Sequence, residues 1–102
     1  MSYLSVVLAR EISHMQALCD IYENKLKYLP KGSIHIRVRN DNEYYYLSYR
    51  KEGKVKSDYI GKSETAVIPL REQLERRKSI EGLLKGMKTE LHRMYRALGK
   101  VK

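Results

Sequence analysis

Seven apolar or semi-apolar residues, Leu8, Ile12, Met15, Cys19, Tyr22, Leu26 and Leu29, recur at alternating spacings of four and three through the first thirty positions. Unbroken four-three alternation is a heptad seam, which only a helix can present on one side. Val7, Leu18 and Ile21 widen the stripe, as in a helix that packs against more than one partner. The spacing predicts a helix that starts near Ser2 or Ser5 and stops before Pro30, because proline disfavours helical backbone in the residue preceding it. Roughly 25 residues at a 1.5 Å rise make a rod of about 38 Å, which needs an element of similar length to cover its seam.

That element lies at the other end of the chain. Leu70 and Leu74 are followed, after a break at Arg76-Arg77-Lys78, by Ile80, Leu84, Met87, Leu91, Met94 and Leu98 in the same four-three alternation. The break is a register shift. The spacing predicts a helix from about Pro69 to Leu98, with Glu64 to Ile68 as a separate short turn, since proline is best tolerated in a first turn. Gly82 and Gly86 each lower helix propensity by roughly 1 kcal/mol relative to alanine, so packing has to hold this helix together. Gly99 is a natural C-cap, followed by a basic tail.

Between the seams the period changes to two. Pro30-Lys31-Gly32-Ser33 breaks the first helix. Ser33 to Arg39 then alternates, with Ile34, Ile36 and Val38 on one face and His35, Arg37 and Arg39 on the other. Asn40-Asp41-Asn42-Glu43 is a turn by composition. Tyr44 to Lys51 puts Tyr45, Leu47 and Tyr49 on one face and Tyr44, Tyr46, Ser48 and Arg50 on the other. Lys51-Glu52-Gly53-Lys54 closes a second hairpin. Val55 to Ile60 sends Val55, Ser57 and Tyr59 one way and Lys56 and Asp58 the other, ending at Gly61. Matching apolar residue to apolar residue, the expected buried face holds Ile34, Ile36, Val38 and Leu47 with some of Tyr45, Tyr49, Val55 and Tyr59. The expected exposed face is His35, Arg37, Arg39, Tyr44, Tyr46, Arg50 and Lys56.

The fold class is therefore α+β: a long N-terminal helix, a three-stranded antiparallel β-sheet and a long C-terminal helix (α-β-β-β-α). The helices are expected to pair as an antiparallel coiled-coil-like hairpin. One domain covers 1–102, with helix in 1–29, sheet in 30–62, and helix and basic tail in 63–102. The stripes are wider than one seam requires, which points to a homodimer.

Charge narrows the partner. The chain carries a formal net charge of +9, and a small protein this basic is steered towards polyanions before any specific contact forms. Residues 1–30 hold three basic and three acidic groups, residues 31–62 eight and four, and residues 63–102 ten and five. The sheet and the last helix thus carry the field. With no Trp or Phe and nine Tyr, tyrosine is the only aromatic available, and five of the nine lie between Leu29 and Lys62. Cations for phosphates beside rings for bases or sugars are the ingredients of a nucleic-acid surface. The bland alternative is that the tyrosines are β-formers in a half-buried sheet and the charges are solvated edge protection; an excess that is cationic rather than mixed favours binding.

Arg76, Arg77 and Lys78 form a secondary basic patch, although Glu72, Glu75 and Glu81 interleave with it and offer intrahelical ion pairs as the competing explanation. Arg93, Arg96, Lys100 and Lys102 form a third patch with less acid around it. Catalysis is not expected: His14, His35 and His92 are scattered, and none has the spacing to a Cys, Asp or Glu that a metal site or a nucleophile and base would need. Cys19 sits in the seam, where a thiol acts as a small hydrophobe, and one cysteine gives neither an intramolecular disulfide nor a zinc framework. No cofactor is expected. The N-terminus lacks the pattern of a signal peptide or membrane span, so a cytoplasmic protein with no membrane partner is expected.

The residues Leu29-Pro30-Lys31-Gly32-Ser33, Tyr44-Tyr45-Tyr46-Leu47-Ser48-Tyr49-Arg50, Gly53-Lys54-Val55-Lys56-Ser57 and Tyr59-Ile60-Gly61-Lys62 resemble a family of small bacterial proteins associated with phage and transposon genes. The sheet also resembles the three-stranded arm-type DNA-binding domains of phage integrases, although no recombinase domain accompanies it and a long helix precedes it. That resemblance implies strand residues entering a groove, here Arg37, Arg39, Arg50 and Lys56.

The expected function is a small basic non-enzymatic nucleic-acid-binding protein of phage or mobile-element type, contacting DNA or RNA through Arg37, Arg39, Tyr44, Tyr46, Arg50 and Lys56, with Arg76, Arg77 and Lys78 secondary. The mobile-element resemblance implies an alternative: an anti-CRISPR inhibitor that binds Cas9 or its guide RNA and blocks effector assembly or target binding.

Overall fold

The structure is a computed structural model that describes residues 2–100; Lys102 of the third basic patch lies outside them. The elements run α1 (Tyr3–Leu26), β1 (Ser33–Arg39), β2 (Asn42–Lys51), β3 (Lys54–Gly61) and α2 (Glu64–Lys100). The α-β-β-β-α order and the antiparallel pairing of α1 with α2 are as the periodicity predicts. Two compact units result: a helical one, from the N-terminus to Tyr28 together with Ser79 onward, and a sheet unit, Leu29–Lys78. α2 contributes its first part to the sheet unit and its remainder to the helical one.

In the helical unit, Ile12 and Cys19 of α1 and Ile80, Leu84, Met87 and Leu91 of α2 are buried. Leu8, Met15, Tyr22 and Leu26 on one helix and Met94 and Leu98 on the other are half-buried, so each seam has a buried centre and partly exposed ends and margins. Burying side chains of this size stabilises by about 1.5–3 kcal/mol each. An ion pair between Lys88 and Glu23 at 2.7 Å ties the two helices at the rim. Of the residues that widen the α1 stripe, Leu18 is half-buried, whereas Val7 and Ile21 are exposed. α1 begins at an N-cap, with the Ser2 hydroxyl accepting from the Ser5 backbone N–H at 3.1 Å. It ends three residues earlier than the heptads suggest. The N–H groups of Lys27 and Tyr28 reach back to the carbonyls of Asn24 and Lys25, a tightened last turn that releases the chain before Pro30.

Two corrections concern α2. Glu64 to Ile68 is no separate turn: one helix continues through Pro69 to Lys100. Val67, with 0% exposure, anchors its first turn, and Ser63 caps it by accepting from the Ala66 N–H at 3.3 Å, so burial and capping outweigh the hydrogen bond that Pro69 cannot donate. The seam also does not simply lapse at Arg76-Arg77-Lys78. Arg77 occupies the seam position, half-buried, and its guanidinium donates to the Leu29 carbonyl at 3.0 Å.

The sheet has the order β1-β2-β3. Both hairpins close with two-residue loops whose central residues have positive φ: Asn40 and Asp41 at 50° and 63°, Glu52 and Gly53 at 54° and 77°. This is the type I′ geometry that follows the twist of paired strands. Such loops fix the register: Arg39 lies opposite Asn42, and Lys51 opposite Lys54.

The first register gives the expected faces for β1 and β2. The second does not give those expected for β3. Counting back from the Lys51–Lys54 pair sets Val55 opposite Arg50, Lys56 opposite Tyr49, Ser57 opposite Ser48 and Tyr59 opposite Tyr46. Lys56 therefore shares a face with Tyr45, Leu47 and Tyr49, and Val55 and Tyr59 share the face of Arg37 and Tyr46. Matching by hydrophobicity puts β3 the wrong way round because the turn, not the side-chain polarity, sets its register.

The covered face is covered in part. Tyr45 is buried and Ile34, Leu47 and Tyr49 half-buried, but Ile36 and Val38, expected in the core, are 53% and 67% exposed. No helix among the described residues is long and apolar enough to cross a membrane.

Candidate nucleic-acid interface

Opposite pairs on β1, β2 and β3 assemble one face of the sheet from His35 and Tyr46, Arg37 and Tyr44, Arg39 and Asn42, Tyr46 and Tyr59, and Arg50 and Val55. Cross-strand neighbours on one face are close enough for rings to meet. Tyr59 reaches both β2 tyrosines, with ring centroids 5.5 Å from Tyr46 and 6.4 Å from Tyr44, each pair tilted. The Arg37 guanidinium lies 4.7 Å over the ring of Tyr46, and the Lys62 ammonium lies 5.4 Å from that of Tyr44. Three rings and two cations thus form one cluster, in which Tyr44 and Tyr46 are half-buried and Tyr59 stays 56% exposed.

Lys62 comes to this face through an irregularity. The pairing skips one residue between Tyr46–Tyr59 and Tyr45–Gly61, leaving Ile60 as the extra residue of a bulge. Without it Lys62 would share the parity of Lys56 on the other face. A bulge re-aims the residues beyond it, and here it carries Lys62 over to Tyr44. The same step places Gly61 opposite Tyr45, where a Cβ would meet the Ala66 Cβ at 3.1 Å, so the missing side chain lets the first turn of α2 approach the sheet.

Charge is sorted between the faces. The strand carboxylates, Glu43 and Asp58, share the parity of Tyr45 and Leu47, as do Lys51, Lys54 and Lys56. There the two carboxylates are engaged by tyrosines. The Tyr45 hydroxyl donates to Glu43 at 3.2 Å; burial pushes its phenol above the usual 10.0, and the Glu43 carboxylate adds to that. Tyr49 is likewise raised, first by its hydrogen bond to Asp58. The tyrosine-cluster face has Arg37, Arg39 and Arg50 and no strand carboxylate among the described residues.

Of the residues the sequence singles out, Arg37, Tyr44 and Tyr46 come together in the cluster. Arg39 and Arg50 share the face at its two ends, about 27 Å apart along β2 at 3.4 Å per residue. Lys56 is on the opposite face. Arg76 and Lys78 are exposed on α2, whereas Arg77 is turned inward to the Leu29 carbonyl. Sequence reasoning missed Tyr59 and Lys62 as members. Tyr59 could have been found by taking Glu52-Gly53 as a two-residue loop and counting back; the bulge that delivers Lys62 has no signal in composition or period. Among the described residues no group of three or more His, Cys, Asp or Glu is placed to hold a metal ion.

A family model described as a domain of unknown function, DUF6788, matches residues 8–69, more than half of the chain. No curated protein and no solved structure matches it.

Proposed function

This chain belongs to the DUF6788 family, and we propose, from the geometry of its sheet, that it is a non-enzymatic nucleic-acid-binding protein that engages DNA or RNA with the tyrosine-cluster face. The observation that carries the reading is the convergence of Arg37 and Lys62 on Tyr44, Tyr46 and Tyr59, on the face from which the strand carboxylates are absent. A ring cluster on an open face stabilises a three-stranded sheet in its own right. Ringing it with cations alone gives it a second use, because phosphates are then drawn to the same surface that offers an exposed ring for stacking.

The roles divide accordingly. Arg37, Arg39, Arg50 and Lys62 contact phosphates. Tyr59, with the most ring surface open, meets bases or sugars, and Tyr44 and Tyr46 brace the cations. Arg76 and Lys78 add a secondary contact. Cys19 is 1% exposed in the helix seam, out of reach of a substrate, and we assign no residue a catalytic role.

The test is binding as a function of salt. An Arg37→Ala, Arg50→Ala variant that keeps its circular dichroism spectrum is expected to bind more weakly and to lose about 2 from the slope of log affinity against log salt. Unchanged affinity would remove the site. A complex with a CRISPR effector protein that survives nuclease treatment, with no nucleic acid bound, would favour the inhibitor instead.

A further inference from the structure

The second part of α2 carries cations that neither the helix seam nor the sheet face uses. From Ser79 to Lys102 the sequence holds six basic and two acidic residues. With Ile80, Leu84, Met87 and Leu91 buried on one side, helical periodicity sends Lys85, Arg93, Arg96 and Lys100 to the opposite side, with His92 on a flank. All five are exposed. The acids fall on the flanks, where Glu90 pairs with Arg93 at 3.6 Å. Lys88, also on a flank, pairs with Glu23 at 2.7 Å.

Helix electrostatics account for only part of this stripe: Glu90 pairs with Arg93 and Glu81 precedes Lys85 by four residues, which leaves Arg96 and Lys100. The macrodipole favours cations within the last turn, which covers Lys100 but not Lys85, Arg93 or Arg96, and like charges four apart, as in Arg96 and Lys100, oppose helix formation. Nor is it the polar side of a membrane-surface helix, which needs a continuous apolar face free to enter the bilayer; Ile80, Leu84, Met87 and Leu91 are committed to the seam with α1, and the exposed Leu83 and Tyr95 fall on opposite flanks of it. A band of cations on one side of the helix, about 22 Å long from the 1.5 Å rise over Lys85 to Lys100, is complementary to a linear polyanion.

We infer that the outer face of α2 from Lys85 to Lys100 is a second contact surface for the phosphate backbone of nucleic acid, independent of base sequence and carried by the helical unit alone. It does not depend on the tyrosine cluster.

The full chain carrying Lys85→Gln, Arg96→Gln and Lys100→Gln is titrated with a DNA duplex of mixed sequence over a range of salt. Its slope of log affinity against log salt is expected to flatten by about 2 to 3, equally for unrelated sequences. A charge-matched control with Arg10→Gln and Lys25→Gln on α1 and Lys27→Gln at its C-cap is expected to flatten it by less than half as much. An unchanged slope overturns the inference; so does equal flattening in the control, which would reduce the effect to net charge. Loss of binding to phosphatidylserine vesicles with the duplex slope intact would overturn it in favour of a membrane surface. If Arg37→Ala, Arg50→Ala has no effect while the α2 triple variant does, the sheet reading falls and this one stands.

Discussion

The guanidinium of Arg37 lies 4.7 Å over the ring of Tyr46, and the two residues belong to neighbouring strands whose register is set by the Asn40-Asp41 turn. The pair therefore reports on both the fold and the proposed surface. A double-mutant cycle of Arg37→Ala and Tyr46→Leu, read by urea denaturation, is expected to give a coupling of about 0.5–1 kcal/mol, the size of an exposed cation–π contact. Additive single effects would mean that the arrangement contributes no stability.

Gly32, just ahead of β1, has a φ of 124°, and a Cβ there would overlap the backbone carbonyl oxygen of Ser48. Backbone cannot swing aside as a side chain does, so Gly32→Ala is expected to cost about 2–4 kcal/mol. Gly53 also has positive φ, at 77°, but nothing lies within 4 Å of its would-be Cβ. Gly53→Ala should cost about 1 kcal/mol, from backbone strain alone. Chemical denaturation of the two variants side by side checks the order.

Gly82 and Gly86 sit inside α2 with nothing within 4 Å of a Cβ at either position. Each Gly→Ala change should stabilise the protein by about 1 kcal/mol through helix propensity, visible as a raised denaturation midpoint with an unchanged m-value. A loss of stability at either position would show that its lack of a side chain serves a contact.

Stability should fall at alkaline pH, and three groups set the sign. Tyr45 is raised by burial, then by Glu43; Tyr49 by its hydrogen bond to Asp58, then by burial; Lys88 by its hydrogen bond to Glu23. A group whose pKa is higher in the folded chain holds its proton more tightly there. Its stabilisation is complete below the unfolded value, about 10 for tyrosine, and is lost as pH rises through the folded value. The Tyr45→Phe, Tyr49→Phe variant should therefore show a shallower loss of stability above pH 10.0, measured by thermal melting across the alkaline range. An identical alkaline slope would mean that other groups control it.

How much of the molecule is legible in the sequence depends on which physical rule governs each residue. The seams are, because Ile12, Cys19, Leu84 and Leu91 are spaced by helix geometry and nothing competes with burying them. The faces of β1 and β2 are, because alternation there agrees with the turn. β3 is misread because its alternation conflicts with its turn: Val55 and Tyr59 are apolar enough to suggest the core, yet the Glu52-Gly53 loop sends them to the open face. Ile36 and Val38 alternate properly and are still exposed, since a strand pattern names a face without saying how far its cover extends. Arg77 is hidden by its neighbours, because Arg76 and Lys78 share its charge and not its direction.

The two faces of the sheet carry similar cations, which makes the decisive comparison one between them. Arg37→Gln, Arg50→Gln and Lys54→Gln, Lys56→Gln each remove two positive charges from the strands, the first pair from the tyrosine-cluster face and the second from the opposite one. With both variants folded, the salt slope of nucleic-acid binding is expected to flatten by about 2 for the arginine pair and by much less for the lysine pair. Equal flattening, or a larger effect from Lys54 and Lys56, would contradict the assignment of the tyrosine-cluster face as the binding surface.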